Sequence, residues 1–154
     1  MILAAVGDTG YKIVLLLHIV AVIVALAPAV VHPIMFTLEK QRDDGDVAAL
    51  ATRITGLPTR IYSIALVLAG VLGIGLISMG DDVIAWGDTW VWLSLVLWVV
   101  LNGVLHGVMF PTEKAIAAGD TAAIDKADKV GPVLVLLSLV LLYLMVLKPG
   151  GSGF

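Results

Sequence analysis

Four long apolar runs dominate the sequence and restrict the folds available to it. Each run approaches the roughly 20 residues that a helix needs to cross the hydrocarbon core of a bilayer. The runs are approximately Tyr11–Met35, Pro58–Met79, Thr89–Met109 and Val130–Leu147. Because each run is continuous and much longer than a barrel strand of about 10 residues, the pattern predicts helices. We therefore predict an all-α, polytopic membrane protein with four transmembrane helices in an up-down bundle.

The composition indicates that this chain is solvated by lipid rather than by water. Hydrophobic residues make up 60% of the chain and charged residues 14%, whereas soluble domains average about 45–50% and about 25%. The net charge of −3 provides no basic surface for nucleic acid, so we expect no nucleic-acid partner. The lack of cysteine excludes disulfides, iron–sulfur clusters and thiol catalysis. The expected partners are the lipid bilayer and a homodimer or larger membrane complex.

The distribution of charged residues predicts the orientation of the chain. The connections between the first two runs and between the last two runs contain the basic residues Lys40, Arg42, Arg53, Arg60, Lys114, Lys126 and Lys129. The middle connection has only acidic charges, and its Asp81 and Asp82 are expected to end the second helix. Because Lys and Arg are retained in the cytoplasm, we predict that the basic connections are cytoplasmic and both termini outside. The expected location is the inner (plasma) membrane of a bacterium.

A sequence repeat relates the two halves of the chain. Residues 32–50 (HPIMFTLEKQRDDGDVAAL) align without gaps with residues 106–124 (HGVMFPTEKAIAAGDTAAI), and 9 of the 19 positions are identical. We infer a duplicated helical hairpin in parallel orientation, with copies at about 9–79 and 83–148. The whole chain, 1–154, is expected to be one membrane domain, in which 149–154 form a flexible tail.

Each copy of the repeat also predicts a short helix in its cytoplasmic connection. Asp46 and Asp120 each stand shortly before an Ala-rich stretch, and an Asp in that place is typical of a helix N-cap. We therefore expect one short interfacial helix in each connection, leading to Pro58 and Pro132 at the starts of the second and fourth transmembrane helices.

The repeated His, Met and Glu residues are candidates for a functional site. In each copy they are spaced i, i+3 and i+7, which places them on one helical face. In an up-down bundle the first and third helices are diagonal and face each other across the core. The expected facing pairs are His32 with His106, Met35 with Met109, and Glu39 with Glu113.

Three interpretations of these residues are open. In the first, His32 and His106 lie at the membrane interface and bond to headgroups, backbone or the glutamates, without a cofactor. In the second, they are the axial ligands of a b-type haem, for which His18 is the rival ligand. In the third, imidazole and thioether groups hold copper, because these ligands favour Cu(I). The copper ligands would be His32, Met35, His106 and Met109.

Other polar and small residues within the spans have separate predicted roles. Asn102 and His18 are the deepest strongly polar side chains, and Asn102 could join Glu39 and Glu113 in lining a transport path. The glycines of the second span predict a close helix contact. The serines within the spans, namely Ser63, Ser94 and Ser138, are expected to bond back to their own helices.

The stretch Tyr11-Lys-Ile-Val-Leu-Leu-Leu-His18, followed by Pro28 and His32-Pro33, resembles an uncharacterised family of predicted bacterial four-helix integral membrane proteins. The resemblance covers most of the chain and implies a fold and a membrane location. His18 also resembles the first-helix His of copper-resistance D membrane proteins and of four-helix protoporphyrinogen oxidases. In those oxidases this His is associated with haem, but their basic catalytic partner has no match here.

These features together predict a non-enzymatic membrane protein that binds haem or a metal, accessory to a redox or metal-handling system. Two other functions are alternatives. One is a small transporter or channel-like protein, and the other is a structural or assembly subunit of a membrane complex.

Overall fold

The computed structural model describes residues 8–80 and 84–151, which form a bundle of helices. The helices are α1 (Thr9–Lys40), α2 (Val47–Ile54), α3 (Leu57–Met79), α4 (Thr89–Val104), α5 (Phe110–Ala117) and α6 (Ala122–Leu147). A π-helical turn, Leu105–Met109, joins α4 to α5. Within the described ranges, four helical segments are long and apolar enough to cross a membrane, namely α1, α3, the continuous α4–α5 segment and α6. The predicted all-α polytopic bundle is confirmed.

The outer surface of the bundle is apolar. Large aliphatic side chains such as Leu16, Ile23 and Val146 are 61%, 63% and 74% exposed. Soluble proteins rarely expose extensive apolar surface, because contact with water is unfavourable, whereas lipid tails solvate the same side chains. The chain is therefore a multi-pass membrane protein.

The packing order of the helices follows the up-down arrangement. α1 packs along α3, α6 packs along the α4–α5 segment, and α1 also contacts α6, whereas α3 has little contact with α4. This order places the first and third transmembrane helices on a diagonal of the bundle. The short helix α2 packs against α5. We call the end of the bundle that holds α2 the α2 end, and the end where α1 begins and α6 finishes the terminal end.

The two ends of the bundle differ in how well they are filled. The main core reaches the α2 end, where Phe36, Phe110 and Ile116 pack with Ala51 of α2. A smaller cluster of Ile84, Trp90 and Val91 lies at the terminal end. Between this cluster and the main core, the helices line a large cavity.

The two basic connections that the repeat equates have different structures. In the first, Asp46 accepts a hydrogen bond from Ala49 N–H (2.9 Å) and caps α2, which confirms the predicted short helix. Gly56, with a φ of 87°, then separates α2 from α3. In the second, Val130 occupies the position that matches Gly56, and α6 continues through it. The prediction of a separate helix there is wrong, because no residue with a left-handed φ stands between Ala122 and Pro132.

Two predictions concern residues outside the described ranges. The first is that Asp81 and Asp82 end the second helix; these two residues are not described, and α3 ends at Met79. In the tail, Gly151 N–H donates to Lys148 O (3.0 Å), and residues 152–154 lie outside the described ranges.

Candidate functional site

His32 on α1 and Glu113 on α5 form a buried pair. His32 Nδ1 lies 2.7 Å from Glu113 Oε1, and the two residues are only 3% and 0% exposed. The ring of Tyr62 on α3 lies edge-on to the His32 ring, with 5.8 Å between the ring centroids. The pair therefore crosses the diagonal of the bundle and connects the first and third transmembrane helices.

His106 lies apart from this pair. Its side chain is exposed, and its Nδ1 lies 3.0 Å from Asn102 O in its own helix. Its ring packs edge-on against Phe110, with 5.2 Å between the centroids. The expected facing of His32 and His106 is therefore not formed, since the first ring is buried and the second is turned outward.

The π-helical turn explains this displacement of His106. In a continuous α-helix, His106 and Glu113 would share a face because they are seven residues apart. A π-helical turn contains about one additional residue, so that Leu105 rather than His106 lies on the buried face with Glu113. Pro111 follows the turn, and its ring clashes with the carbonyl four residues earlier, which favours a wider turn.

The other expected pairs are also separated. Met109 is buried, whereas Met35 is 37% exposed. Glu39 is half-buried and accepts a hydrogen bond from Asp46 N–H (3.0 Å), so that it holds the first connection in place. The Asn102 side-chain amide donates to Trp98 O of its own helix (2.9 Å).

The four expected copper ligands do not share one site. His32 and Met109 line the same small cavity, of about 10 Å³, whereas Met35 and His106 do not line it. Among the residues that the structure describes, no group of three or more His, Asp or Glu side chains is placed to hold a metal ion. The arrangement therefore brings together only two of the four predicted ligands.

A second, larger cavity of about 410 Å³ lies between the four transmembrane segments at the terminal end. Its volume is in the range of about 300–1,000 Å³ that is common for ligand sites. Most of its walls are aliphatic or aromatic. The side chains with polar atoms that line it are Tyr11, His18, Trp90, Ser94, Trp98 and Lys148.

His18 on α1 is oriented in this cavity by α3. Its Nδ1 lies 2.9 Å from Ala69 O, and its Cε1 lies 3.2 Å from where a Cβ would stand at Gly73. Because a carbonyl only accepts hydrogen bonds, Nδ1 carries a proton, and when the ring is neutral its Nε2 keeps a lone pair. The ring therefore presents one nitrogen that is able to accept a hydrogen bond or bind a metal.

Trp98 on α4 closes the cavity toward α3. Its Nε1–H donates to Leu66 O (2.8 Å), and its ring lies where a Cβ at Gly70 would overlap it. The small residues of α3, which were predicted to form a close helix contact, thus leave space for two aromatic rings, Trp98 and His18. This indole is a main link between α3 and α4, because these helices otherwise make little contact.

Ser94 is a site residue that the sequence did not indicate. Ser63 and Ser138 donate to Thr59 O and Leu134 O (2.8 Å each), as predicted. Ser94 is buried, but its Oγ has no hydrogen-bond partner among the described residues. The bond that was predicted from Ser94 to its own helix is therefore not formed. Ser94 also lines the large cavity. Hydropathy carries no signal that separates the three serines.

Comparison with known proteins identifies no relative of this chain. It matches no protein-family model, no curated protein and no solved structure. The functional argument therefore depends on the geometry of the two cavities and of the histidines that line them.

Proposed function

We propose that the protein binds a b-type haem in the terminal-end cavity, as a non-enzymatic component of a redox or metal-handling system in the membrane. The observation that carries this proposal is the hydrogen bond from His18 Nδ1–H to Ala69 O. It leaves the His18 Nε2 as a metal-binding nitrogen on the wall of an apolar cavity of about 410 Å³.

The ligand chemistry supports His18 above the other two histidines. Haem iron binds a neutral imidazole, and a metal-binding His commonly donates its second ring N–H to a carbonyl or carboxylate, which fixes the tautomer. His18 has such a bond and also lines a large cavity. His32 has a carboxylate partner in a packed region, and His106 is exposed.

The walls of the cavity suit a flat, largely apolar cofactor. Trp90 and Trp98 contribute aromatic surface and help to exclude water. Met145 also lines the cavity, and its thioether is of the type that provides the second axial ligand in His/Met haems. The Lys148 ammonium lies 5.7 Å from the centre of the Trp90 ring, at the end of α6, where it suits a haem propionate.

The chain's own groups would hold and shield the cofactor. His18 would ligate, and Trp98 would keep the α3–α4 side closed. A bound haem would supply a one-electron redox centre.

We further propose that this site faces the outer side of a bacterial inner membrane. The basic connections belong to the α2 end, and basic connections are retained in the cytoplasm. The terminal end would then lie outside, and its exposed Trp86 and Trp92 support this as an interfacial position.

Visible spectroscopy tests the haem proposal. Full-length protein purified from cells supplied with haem precursor is expected to show a Soret band that His18→Ala removes or strongly weakens. His106→Ala is the matched control, because His106 is exposed and lies outside the cavity. A colourless protein that takes up no added haem would overturn the proposal.

A further inference from the structure

The large cavity at the terminal end opens to the surface of the bundle between α1 and α6. Ile19 and Ile23 on α1 and Leu142 and Val146 on α6 line this cavity, and all four are also exposed. In each pair the two residues are four positions apart, so that they form a row along one face of their helix. Because the same side chains border both the cavity and the outer surface, the gap between the two rows connects them. We call this gap the α1–α6 opening.

The packing of α1 against α6 explains the opening. At the α2 end the two helices are in close contact, since a Cβ at Gly131 of α6 would lie 3.2 Å from Pro33 Cγ of α1. At the terminal end the cavity lies between them, and α1 packs instead on α3, where His18 Nδ1 lies 2.9 Å from Ala69 O. α1 and α6 therefore diverge toward the terminal end.

The α1–α6 opening lies at the depth of the lipid tails. Ile23 lies roughly 14 residues, or about 21 Å, from the start of α1 at Thr9. This distance reaches well into a hydrocarbon core that is about 30 Å thick. Val146, on the other row, is next to the last residue of α6. The opening therefore extends from the membrane surface into the hydrocarbon, where molecules dissolved in lipid can reach the cavity.

The polar side chains at the outer end of the cavity suit the head group of a lipid. Lys148 lines the cavity at the end of α6, and its ammonium lies 5.7 Å from the centre of the Trp90 ring. Lys commonly binds phosphate, and Trp prefers the boundary between lipid tails and water. Tyr11, near the start of α1, also lines this end. Further in, most of the walls are apolar, so the cavity matches an amphiphile with a phosphate head.

We propose that a phospholipid of the leaflet at the terminal end binds to the haem-free protein, with its phosphate near Lys148 and one acyl chain inserted through the α1–α6 opening. Lipid tails are as apolar as the side chains of the cavity wall. A void would leave the atoms of that wall without van der Waals contacts, and an inserted chain supplies these contacts. The inference does not depend on the proposed haem, but haem and the acyl chain would exclude each other from the cavity.

Photo-crosslinking tests whether an acyl chain enters the cavity. The purified full-length protein is placed in bilayers of phosphatidylglycerol with a photoreactive diazirine near the end of one acyl chain. After irradiation, mass spectrometry identifies the labelled residues. Label is expected on Val91 and Leu141, which line the cavity and are only 1% and 3% exposed. Leu101 and Ile116 are the matched controls, because they are equally buried (0% and 2%) but do not line the cavity, and they should remain unlabelled.

Bulky side chains at the α1–α6 opening test the route of entry. The double variant Ile23→Trp with Val146→Trp narrows the opening and is expected to lose most of the label from the two cavity residues. Leu16→Trp with Leu136→Trp is the matched control, because these residues are exposed on the same two helices but lie outside the cavity. This control should be labelled as strongly as the wild-type protein.

Two results would overturn this proposal. If Val91 and Leu141 of the wild-type protein carry no more label than Leu101 and Ile116, no acyl chain enters the cavity. If their label persists in the double variant at the opening, the chain does not enter between α1 and α6.

The Soret band decides the haem proposal separately. If haem binds, the haem-loaded protein should carry less label on Val91 and Leu141 than His18→Ala does. If no haem binds, both proteins should be labelled equally, and the lipid proposal stands without the haem.

Discussion

His32 and Glu113 lie 2.7 Å apart, although 81 positions separate them in the chain. Their counterparts in the repeat, His106 and Glu39, form no matching pair, because one is exposed and the other holds a connection. Two similar sequence segments therefore produce one cross-bundle pair instead of two. The difference arises at the π-helical turn before Pro111, which has no equivalent in α1.

Removing either member of this pair should strongly destabilise the protein. Glu113→Ala or His32→Ala leaves the other polar group buried alone, so the free energy of unfolding should fall by about 3–5 kcal/mol. Lys40→Ala is the control, because it breaks a partly exposed ion pair with Asp128 and should cost at most about 1 kcal/mol. Denaturant titration in detergent measures these changes in the free energy of unfolding. If Lys40→Ala lowers it as much as Glu113→Ala does, the burial of the His32–Glu113 pair does not determine its contribution to stability.

Gly70→Ala should disturb the wall of the large cavity. The added methyl would overlap the Trp98 ring, and such overpacking costs about 1–3 kcal/mol. Gly75→Ala on the same helix meets nothing within 4 Å and should stabilise by about 0.5–1 kcal/mol. Thermal unfolding, together with tryptophan fluorescence, compares the variants. If Gly70→Ala changes neither the Tm nor the tryptophan fluorescence, Trp98 is not packed on Gly70.

Ser94→Ala should leave the stability of the empty protein unchanged or raise it by up to about 1 kcal/mol, since the buried hydroxyl has no partner. Ser138→Ala loses a hydrogen bond to Leu134 O and should cost about 0.5–1.5 kcal/mol. Chemical unfolding of both variants decides the comparison. A larger cost for Ser94→Ala would mean that its hydroxyl is already bonded.

Cysteine labelling tests the orientation, because the chain has no native cysteine. Asp43→Cys, in the connection beside α2, should resist an impermeant maleimide on intact cells. Gly87→Cys at the terminal end has open space around its Cβ and should react. Gly45 is unsuitable for labelling, because a Cβ there would overlap Glu39 O. If Asp43→Cys is labelled and Gly87→Cys is not, the orientation is opposite to the proposed one.

The transmembrane helices could be predicted from hydropathy because the requirement for about 20 apolar residues is strict. The second span was expected at Pro58–Met79 and is found at Leu57–Met79. Hydropathy does not show where a helix ends after it leaves the apolar region. α1 therefore continues to Lys40, and α6 begins at Ala122, eight residues before the expected Val130.

The candidate site could be predicted only in part. A polar residue deep in a span is costly and therefore informative, which makes His18 a candidate, whereas His32 and Glu113 are candidates because the repeat contains them. Their partners depend on helix rotation, and a single π-helical turn shifted the face that carries His106. The cavity beside His18 depends on how Trp98 and Gly70 fit together, and residue periodicity carries no information about such fits.

The pairing of His32 with a carboxylate 81 positions later also has a consequence for biogenesis. α1 and α3 leave the ribosome before the segment that contains Glu113, because they precede it in the chain. His32 therefore enters the bilayer without its final partner, and the first hairpin is incomplete on its own. The segment that follows the first hairpin supplies the missing carboxylate, so the pair that ties α1 to α5 forms only after both halves of the chain are in the membrane.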